Sequence, residues 1–446
     1  MKKFGEYISF EEIKKEMCAL NDSIVFSDDF KVFRNSVCVN GVTIKNSIVA
    51  HPMEGCDGNL DGTPGALTIR RYRKLARGGA GLIWFEATAV KHEGRAYSRQ
   101  LMINKKNYEA FALLVEMIRK EAKDEFGDDF NPIIIMQLTH SGRFSKPNGK
   151  PETIIACKNP YLQKIYGNED IARIITDSQI EELEESFEQA AILAKKAGFD
   201  GVDVKACHRY LNSELLSAFT REGKYGGDFE GRSRFLFNCI DRIKKAVSNN
   251  FIVTTRCNIY DQIPYPYGWG VDKEDVEKPD FKEPIKLVKM LYEKGVEIIN
   301  TTMGSPYINP HVNRPYNSGG YVPKENPING IVRLNSGTRK IQESVPNMAV
   351  VGTGYTWLRQ YSPYLAAGTL KTGGATLVGY GREWFAYPDF AKDILYNGGM
   401  KKEKCCITCS KCTELMRADL FAGCVIFDRE IYQDIYKKKK QKKMEA

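Results

Sequence analysis

A closed (β/α)8 barrel followed by a small cysteine-bearing appendage is the fold class this sequence predicts. Eight short β-branched runs alternate with amphipathic helical stretches, which is the order a parallel barrel needs. The first run leads into Ala50-His-Pro-Met-Glu-Gly-Cys56, not into the Gly-x-Gly-x-x-Gly that opens a doubly wound nucleotide-binding sheet. With 446 residues the chain holds one large barrel and little else.

Taken in order, residues 1–46 precede the first strand and are expected to form a lid over the barrel's N-terminal face. The first strand covers 47–53, and glycines and aspartates crowd 54–66 into a long loop after it. Strands at 81–86 and 132–138 flank a helical stretch at 107–121. The stretch 177–197 leads to a strand at 201–205, and 232–248 leads to one at 251–257. The stretch 283–294 precedes a strand at 296–301. Strands at 348–352 and 375–379 alternate with helical stretches at 357–367 and 384–395. In each stretch apolar residues recur at three- and four-residue spacing. The barrel is thus expected over 47–398, a cysteine segment over 399–436 and a disordered lysine-rich tail over 437–446.

Composition is globular, 42% hydrophobic and 27% charged. No apolar run approaches the roughly 18 residues of a membrane span. The opening MKKFGEYISFEEIKKEM is charged throughout and lacks the apolar centre of a secretion signal, so the cytoplasm is the expected compartment. There the twelve cysteines stay thiols or metal ligands. The net charge of +9 points to no nucleic acid, because six lysines and one glutamate of the tail account for over half of it.

Cys406-Ile-Thr-Cys409-Ser-Lys-Cys412, then eleven residues and Cys424, brings three thiols to one short loop and a fourth to close it. A 4Fe-4S cluster is held this way. Four cysteines also satisfy a structural zinc, so spacing leaves both centres open. Cys405 adjoins the set as a substitute for Cys406.

Barrel enzymes carry their chemistry where strands end at the C-terminal face. Those ends read Pro52-Met53-Glu54, Ala87, Gln137 with His140, Lys205 with His208 and Tyr210, Arg256, Gly352-Thr-Gly354 and Gly379-Tyr-Gly381-Arg382. Glycine-rich ends of the seventh and eighth strands beside an arginine form a phosphate grip.

Gln137-Leu-Thr-His140-Ser-Gly-Arg143, Gly198-Phe-Asp-Gly-Val-Asp-Val-Lys-Ala-Cys-His-Arg-Tyr210, Lys224-Tyr-Gly-Gly-Asp-Phe-Glu-Gly-Arg-Ser-Arg-Phe235, Gly379-Tyr-Gly-Arg382 and Arg77-Gly-Gly-Ala-Gly-Leu-Ile83 resemble the Old Yellow Enzyme family of FMN-dependent ene-reductases. The cysteine segment resembles its iron–sulfur branch, which includes 2,4-dienoyl-CoA reductase, trimethylamine dehydrogenase and bile-acid-inducible reductases. The resemblance implies FMN against Pro52, Met53, Glu54 and Ala87, with Gln137 on its pyrimidine edge and Arg256 beside N1. It implies Gly354, Gly381 and Arg382 on the phosphate, and Cys406, Cys409, Cys412 and Cys424 on a 4Fe-4S cluster. Lys205 and His208 would hold a substrate carbonyl oxygen and Tyr210 would donate the proton. Asp228 and Glu230 are expected to be structural. Tyr307, His311 and Arg314 are candidates for the pocket mouth.

Three departures bear on the substrate. Lys205 stands where many relatives carry histidine or asparagine. Glu54 replaces the flavin-linked cysteine of trimethylamine dehydrogenase, which argues against a covalent flavin. Two residues separate the second and third cysteines, as in trimethylamine dehydrogenase. The FAD and NAD(P)H modules of multidomain relatives are not expected here, because Gly352-Thr-Gly-Tyr-Thr-Trp357 lacks a third glycine. Electrons are then expected from NAD(P)H directly or from a reduced carrier such as a ferredoxin or flavodoxin. The leading expectation is an ene-reductase for a small unsaturated carbonyl compound, as a possible homo-oligomer. An amine or alcohol dehydrogenase and a Schiff-base lyase using Lys205 are the alternatives.

Overall fold

A computed structural model describes residues 1–167, 172–247 and 249–444. Eight parallel strands close into a barrel: β1 Ile48–Ala50, β2 Leu82–Ala89, β3 Ile133–Thr139, β4 Gly201–Val204, β5 Ile252–Asn258, β6 Ile298–Thr302, β7 Ala349–Gly352 and β8 Leu377–Tyr380. Each strand pairs with its neighbours in chain order, and β8 closes on β1. The barrel expectation holds, and all eight strands fall where their β-branched runs lie.

Barrel helices follow the strands: α1 Ala66–Ala76, α2 Tyr108–Phe126, α3 Asp177–Lys196, α4 Phe229–Ala246, α5 Lys282–Glu293, α6 Pro327–Ser344, α7 Ser362–Lys371 and α8 Phe390–Tyr396. The sequence pattern did not single out α1 or α6. In α6, Gly330, Gly337, Asn329 and Asn335 are poor helix formers; packing sets its course, for eleven of its residues are buried. The expected stretch 232–248 ends at Ala246, and Ser248 lies outside the described residues.

Period-two alternation divides the strands' side chains. Ile48, Ile83, Phe85, Ile134, Met136, Val202, Val253, Ile299 and Val350 join the large cluster beneath the helices. Val49, Leu82, Trp84, Ile133, Ile135, Ile252, Ile298, Val351 and Leu377 form a separate cluster that fills the barrel's N-terminal half. Continuing that inward register toward the C-terminal end gives Gln137 two residues beyond Ile135 and Arg256 four beyond Ile252. The interior therefore changes from apolar to polar along its axis, and the polar end is where a ligand fits.

The expected lid over 1–46 needs correction. Only the hairpin of Val37–Val39 and Val42–Ile44 closes the barrel bottom, where Val39 and Ile44 join the interior cluster. The helix Phe10–Leu20 lies against α6 instead, and Asn21 Nδ2 donates to Ser336 Oγ at 2.8 Å. Phe4 meets Trp357 edge-on at 5.5 Å. Beyond the barrel, the cysteine segment carries α9 Lys411–Arg417 and α10 Arg429–Met444. The tail expected to be disordered from 437 continues α10 as far as Met444. Lysine is a good helix former, and Glu414 anchors the helix through Tyr436 Oη at 2.9 Å and Lys439 Nζ at 3.0 Å. Glu445 and Ala446 lie outside the described residues. Among the described residues no helix is long and apolar enough to cross a membrane.

Candidate active site and cysteine centre

A cleft with about 980 Å³ of empty space, its mouth included, opens at the C-terminal end of the barrel. Pro52, Met53, Glu54, Gln137, Lys205, His208, Tyr210, Arg256, Gly354, Gly381 and Arg382 all line it. Ala87 does not. The β2–β3 register shifts between Phe85 and Thr88, and the Ala87 carbonyl accepts from Gln100 Nε2 at 3.2 Å.

The floor is held by Asp203, which is fully buried on β4. Its Oδ2 accepts from Gln137 Nε2 at 2.6 Å and from Trp84 Nε1 at 2.7 Å, and its Oδ1 accepts from the Arg256 backbone N–H at 2.7 Å. With Gln137 Nε2 taken, the acceptor Oε1 remains for a ligand.

The wall after β4 is a strained turn. His208 and Arg209 sit at φ +66° and +62°, a region side chains rarely adopt. Arg209 pins the turn with an ion pair to Asp261 at 3.0 Å, so the cost of the conformation is met away from the cavity. Burial, followed by the charges of Arg256 and Lys205, pushes His208 well below its ordinary value, so its imidazole is neutral. Asn313 Nδ2 lies 3.0 Å from the Met303 carbonyl and 3.3 Å from His208 Nε2. The same amide nitrogen lies 3.0 Å from Thr302 Oγ1, so Asn313 ties the imidazole to the β6 strand end.

Tyr210 is buried at 1% exposure. Burial, then Glu54 and Tyr307, hold its phenol well above the ordinary value and keep it protonated. Its Oη lies 2.9 Å from that of Tyr307, and Tyr307 stacks on Phe144 with centroids 4.1 Å apart. Lys205 Nζ stands 3.4 Å from Glu54 Oε1 and 3.9 Å from the Tyr210 ring centroid. Glu54 Oε2 accepts from Tyr97 Oη at 2.7 Å. Lys205 and Glu54 thus neutralise each other inside the pocket. Tyr307 and Arg314 line the cleft, whereas His311 turns to Tyr321.

The opposite wall asks for an anion. Among the described residues, Arg256, Arg314 and Arg382 have no carboxylate partner within ion-pair distance, and Arg256 and Arg382 are each only 6% exposed. Arg256 Nε, Arg382 Nη1 and His51 Nε2 are buried without a hydrogen-bond partner. Unmet buried donors of this kind are expensive, and they cluster where a ligand completes them. Gly354, at φ +103°, allows close backbone approach there, and a Cβ on Gly381 would press the Met53 sulfur at 3.0 Å.

A second cavity, about 340 Å³ in all, is lined by Cys406, Cys409, Cys412 and Cys424, with Arg382 shared between the two. Among the described residues no three His, Cys, Asp or Glu side chains are gathered on one point as for a single ion. The four thiols nevertheless line one void, the donor set that a metal centre of either kind requires. Thr408 and Ser410 adopt φ +50° and +58°, which wraps the loop around the void. Glu383 Oε1 accepts from the Cys406 N–H at 2.9 Å. Cys405 points elsewhere, its Sγ donating to the Lys401 carbonyl at 3.3 Å. Residues unnamed by the sequence reading complete the barrel cleft: His51, Asn313, Thr413 and Met416 line it, and Tyr97 holds Glu54 from behind. Only His51, adjoining Pro52 at a strand end, carried a sequence signal.

Known proteins place this geometry. The profile of the NADH:flavin oxidoreductase / NADH oxidase family matches residues 35–398. An NADPH dehydrogenase of Geobacillus sp. (strain WCH70) is 30% identical over 364 residues, covering 78% of this chain and 96% of that protein. An NADH oxidase of Thermoanaerobacter brockii is 28% identical over 378 residues; the alignment covers 83% of this chain but only 52% of that longer protein. Among solved structures, a 2-naphthoyl-CoA reductase complex aligns with TM-score 0.71 at 21% identity over 89% of this chain and 57% of its own. Histamine dehydrogenase from Rhizobium sp. 4-9 aligns with TM-score 0.69 at 20% identity, over 89% of this chain and 52% of its own. At these identities the two structures share the fold. The match over 35–398 and the dehydrogenase relative settle membership: the chain belongs to the NADH:flavin oxidoreductase / NADH oxidase family.

Proposed function

We propose that this protein is an ene-reductase that uses FMN and a 4Fe-4S centre to reduce the C=C bond of a small α,β-unsaturated carbonyl compound. The observation that carries this reading is the convergence of a neutral His208 and a protonated Tyr210 in a pocket where Glu54, the one carboxylate lining it among the described residues, is matched by Lys205. Such a pocket takes a carbonyl oxygen. It offers no unpaired anion to a cationic amine, which disfavours the dehydrogenase alternative. A lysine held as a carboxylate-paired ammonium is likewise a poor Schiff-base nucleophile.

FMN, when bound, supplies the hydride. Gln137, Arg256, Arg314, Arg382, Gly354 and Gly381 would hold it, since these residues supply the acceptor, the unpaired guanidiniums and the open backbone described above. The neutral His208 imidazole and the Lys205 ammonium orient the substrate carbonyl and stabilise the oxyanion that develops on it. Tyr210 delivers its proton to the α-carbon, and its phenolate is stabilised by Lys205 over its ring and by Tyr307.

Cys406, Cys409, Cys412 and Cys424 would hold the cluster. Reducing equivalents come from NAD(P)H or from an acidic carrier protein guided to the basic helix α10. Anaerobically purified protein should contain iron, acid-labile sulfide and FMN. Dithionite-reduced protein should regain its flavin absorbance on mixing with 2-cyclohexen-1-one. Zinc without sulfide would overturn the cluster, and amines that bleach the oxidised flavin while enones fail to restore the reduced one would overturn the reaction.

A further inference from the structure

The cysteine segment does more than surround the second cavity. It also builds part of the first. Thr413 and Met416 of α9 line the active-site cleft, although α9 contains Cys412 of the thiol set. Cys412 and Met416 are one helical turn apart, so a single short helix serves both cavities. Met416, like Phe144 and Tyr307, packs against the apolar cluster that contains Tyr210, the aromatic side of the substrate pocket.

Three bonds, one from the helix itself and two from the residues flanking it, tie this segment to the loops that carry the pocket. Arg417 Nη2 donates to the Pro306 carbonyl at 2.6 Å, beside Tyr307. Arg314 Nη1 donates to Ser410 Oγ at 3.3 Å. The Ala422 N–H donates to the Gly55 carbonyl at 2.7 Å, beside Glu54. The position of Met416 is thus set from both sides of the cleft.

We infer that Met416 is a specificity-determining residue: it closes the aromatic side of the pocket and limits the bulk of the group carried on the substrate's alkene. The inference rests on the ene-reductase reading. Methionine suits the role because its flexible, apolar chain fills an irregular gap against aromatic rings. One methylene in such a pocket changes discrimination by roughly 10- to 200-fold, so replacing the whole side chain should be visible in a ratio of substrates.

The test compares 2-cyclohexen-1-one with the bulkier 4-phenylbut-3-en-2-one as oxidants of the reduced flavin. Met416→Ala and Met416→Trp are made in the full protein, with FMN and iron content checked first. Binding of each enone to the oxidised protein is followed separately by the shift in flavin absorbance. Met416→Ala should raise the bulky-to-small ratio of both affinity and apparent second-order rate by roughly tenfold or more, and Met416→Trp should lower it. Ratios unchanged in both variants overturn the inference. If Met416→Ala loses FMN, the Trp variant decides alone, because it keeps the wall filled. If wild type fails to react with either enone, the ene-reductase reading has failed and not the placement of Met416.

Discussion

Removing the hydroxyl of Tyr307 should slow substrate reduction only as long as Tyr210 keeps its own. The two Oη atoms are 2.9 Å apart, and Tyr210 is buried while Tyr307 is partly exposed. As Tyr210 gives up its proton, negative charge grows on its oxygen, and a neutral hydrogen bond becomes a charge-assisted one. Such bonds contribute about 1.5–3 kcal/mol, so Tyr307→Phe should cost about 10- to 100-fold in the rate at which an enone reoxidises the reduced flavin. Tyr210→Phe removes the acid itself and should cost on the order of 10²–10⁴. In the double variant there is no phenolate for Tyr307 to stabilise, so it should be no slower than Tyr210→Phe. Anaerobic stopped-flow mixing with 2-cyclohexen-1-one measures all four proteins directly. Additive losses in the double variant would show that Tyr307 acts independently of Tyr210, and an unaffected Tyr307→Phe would remove it from the proton's path.

Arg382→Ala should weaken FMN retention by about 10- to 100-fold, the range of one charge-assisted bond; dialysis followed by flavin quantification reads it, and full retention would move the phosphate site elsewhere. The same reoxidation rate should be flat from about pH 7 to 9, because burial displaces His208 below its ordinary value and Tyr210 above its own. A loss with a midpoint near the ordinary histidine value, about 6.5, would show a titrating His208. Glu54→Gln leaves the Lys205 cation, 2% exposed at its side chain, without its partner, and should destabilise the protein by about 3 kcal/mol. Adding Lys205→Met should recover most of that loss in thermal melts at fixed FMN, and no recovery would mean that the pair is not coupled.

The barrel was legible because its strands are short apolar runs whose ends coincide with the polar residues. Gln137, Lys205 and Arg256 could be named in advance because each stands at a strand end, where a barrel keeps its chemistry. Ala87 could not be placed, since a register shift in the middle of β2 is a matter of pairing and leaves no mark on the run itself. Tyr97, Asn313, Thr413 and Met416 were silent for another reason. They reach the cleft from loops and a short helix whose positions depend on distant partners, such as Arg417 on Pro306 and Ala422 on Gly55. The lysine-rich end was misread because charge density suggests solvation, while Glu414 holds the base of that helix in place.

The arrangement of cations at the barrel mouth explains why ligand and fold belong together. Arg256 and Arg382 are buried, carry unmet donors and have no carboxylate partner among the described residues. Arg314 sits close enough to Arg382 for the two charges to depress Arg314 from its ordinary value, after burial itself. A folded chain that kept these groups without an anion would bear several kcal/mol of uncompensated desolvation and repulsion. Elsewhere buried arginines meet a carboxylate, Arg71 with Asp57 and Glu86, Arg143 with Glu214 and Arg209 with Asp261, or lie among backbone carbonyls as Arg95 does. At the mouth, by contrast, three guanidiniums without a carboxylate partner among the described residues share one wall. That contrast marks the wall between the two cavities as the place where stability has been left for a bound anion to supply.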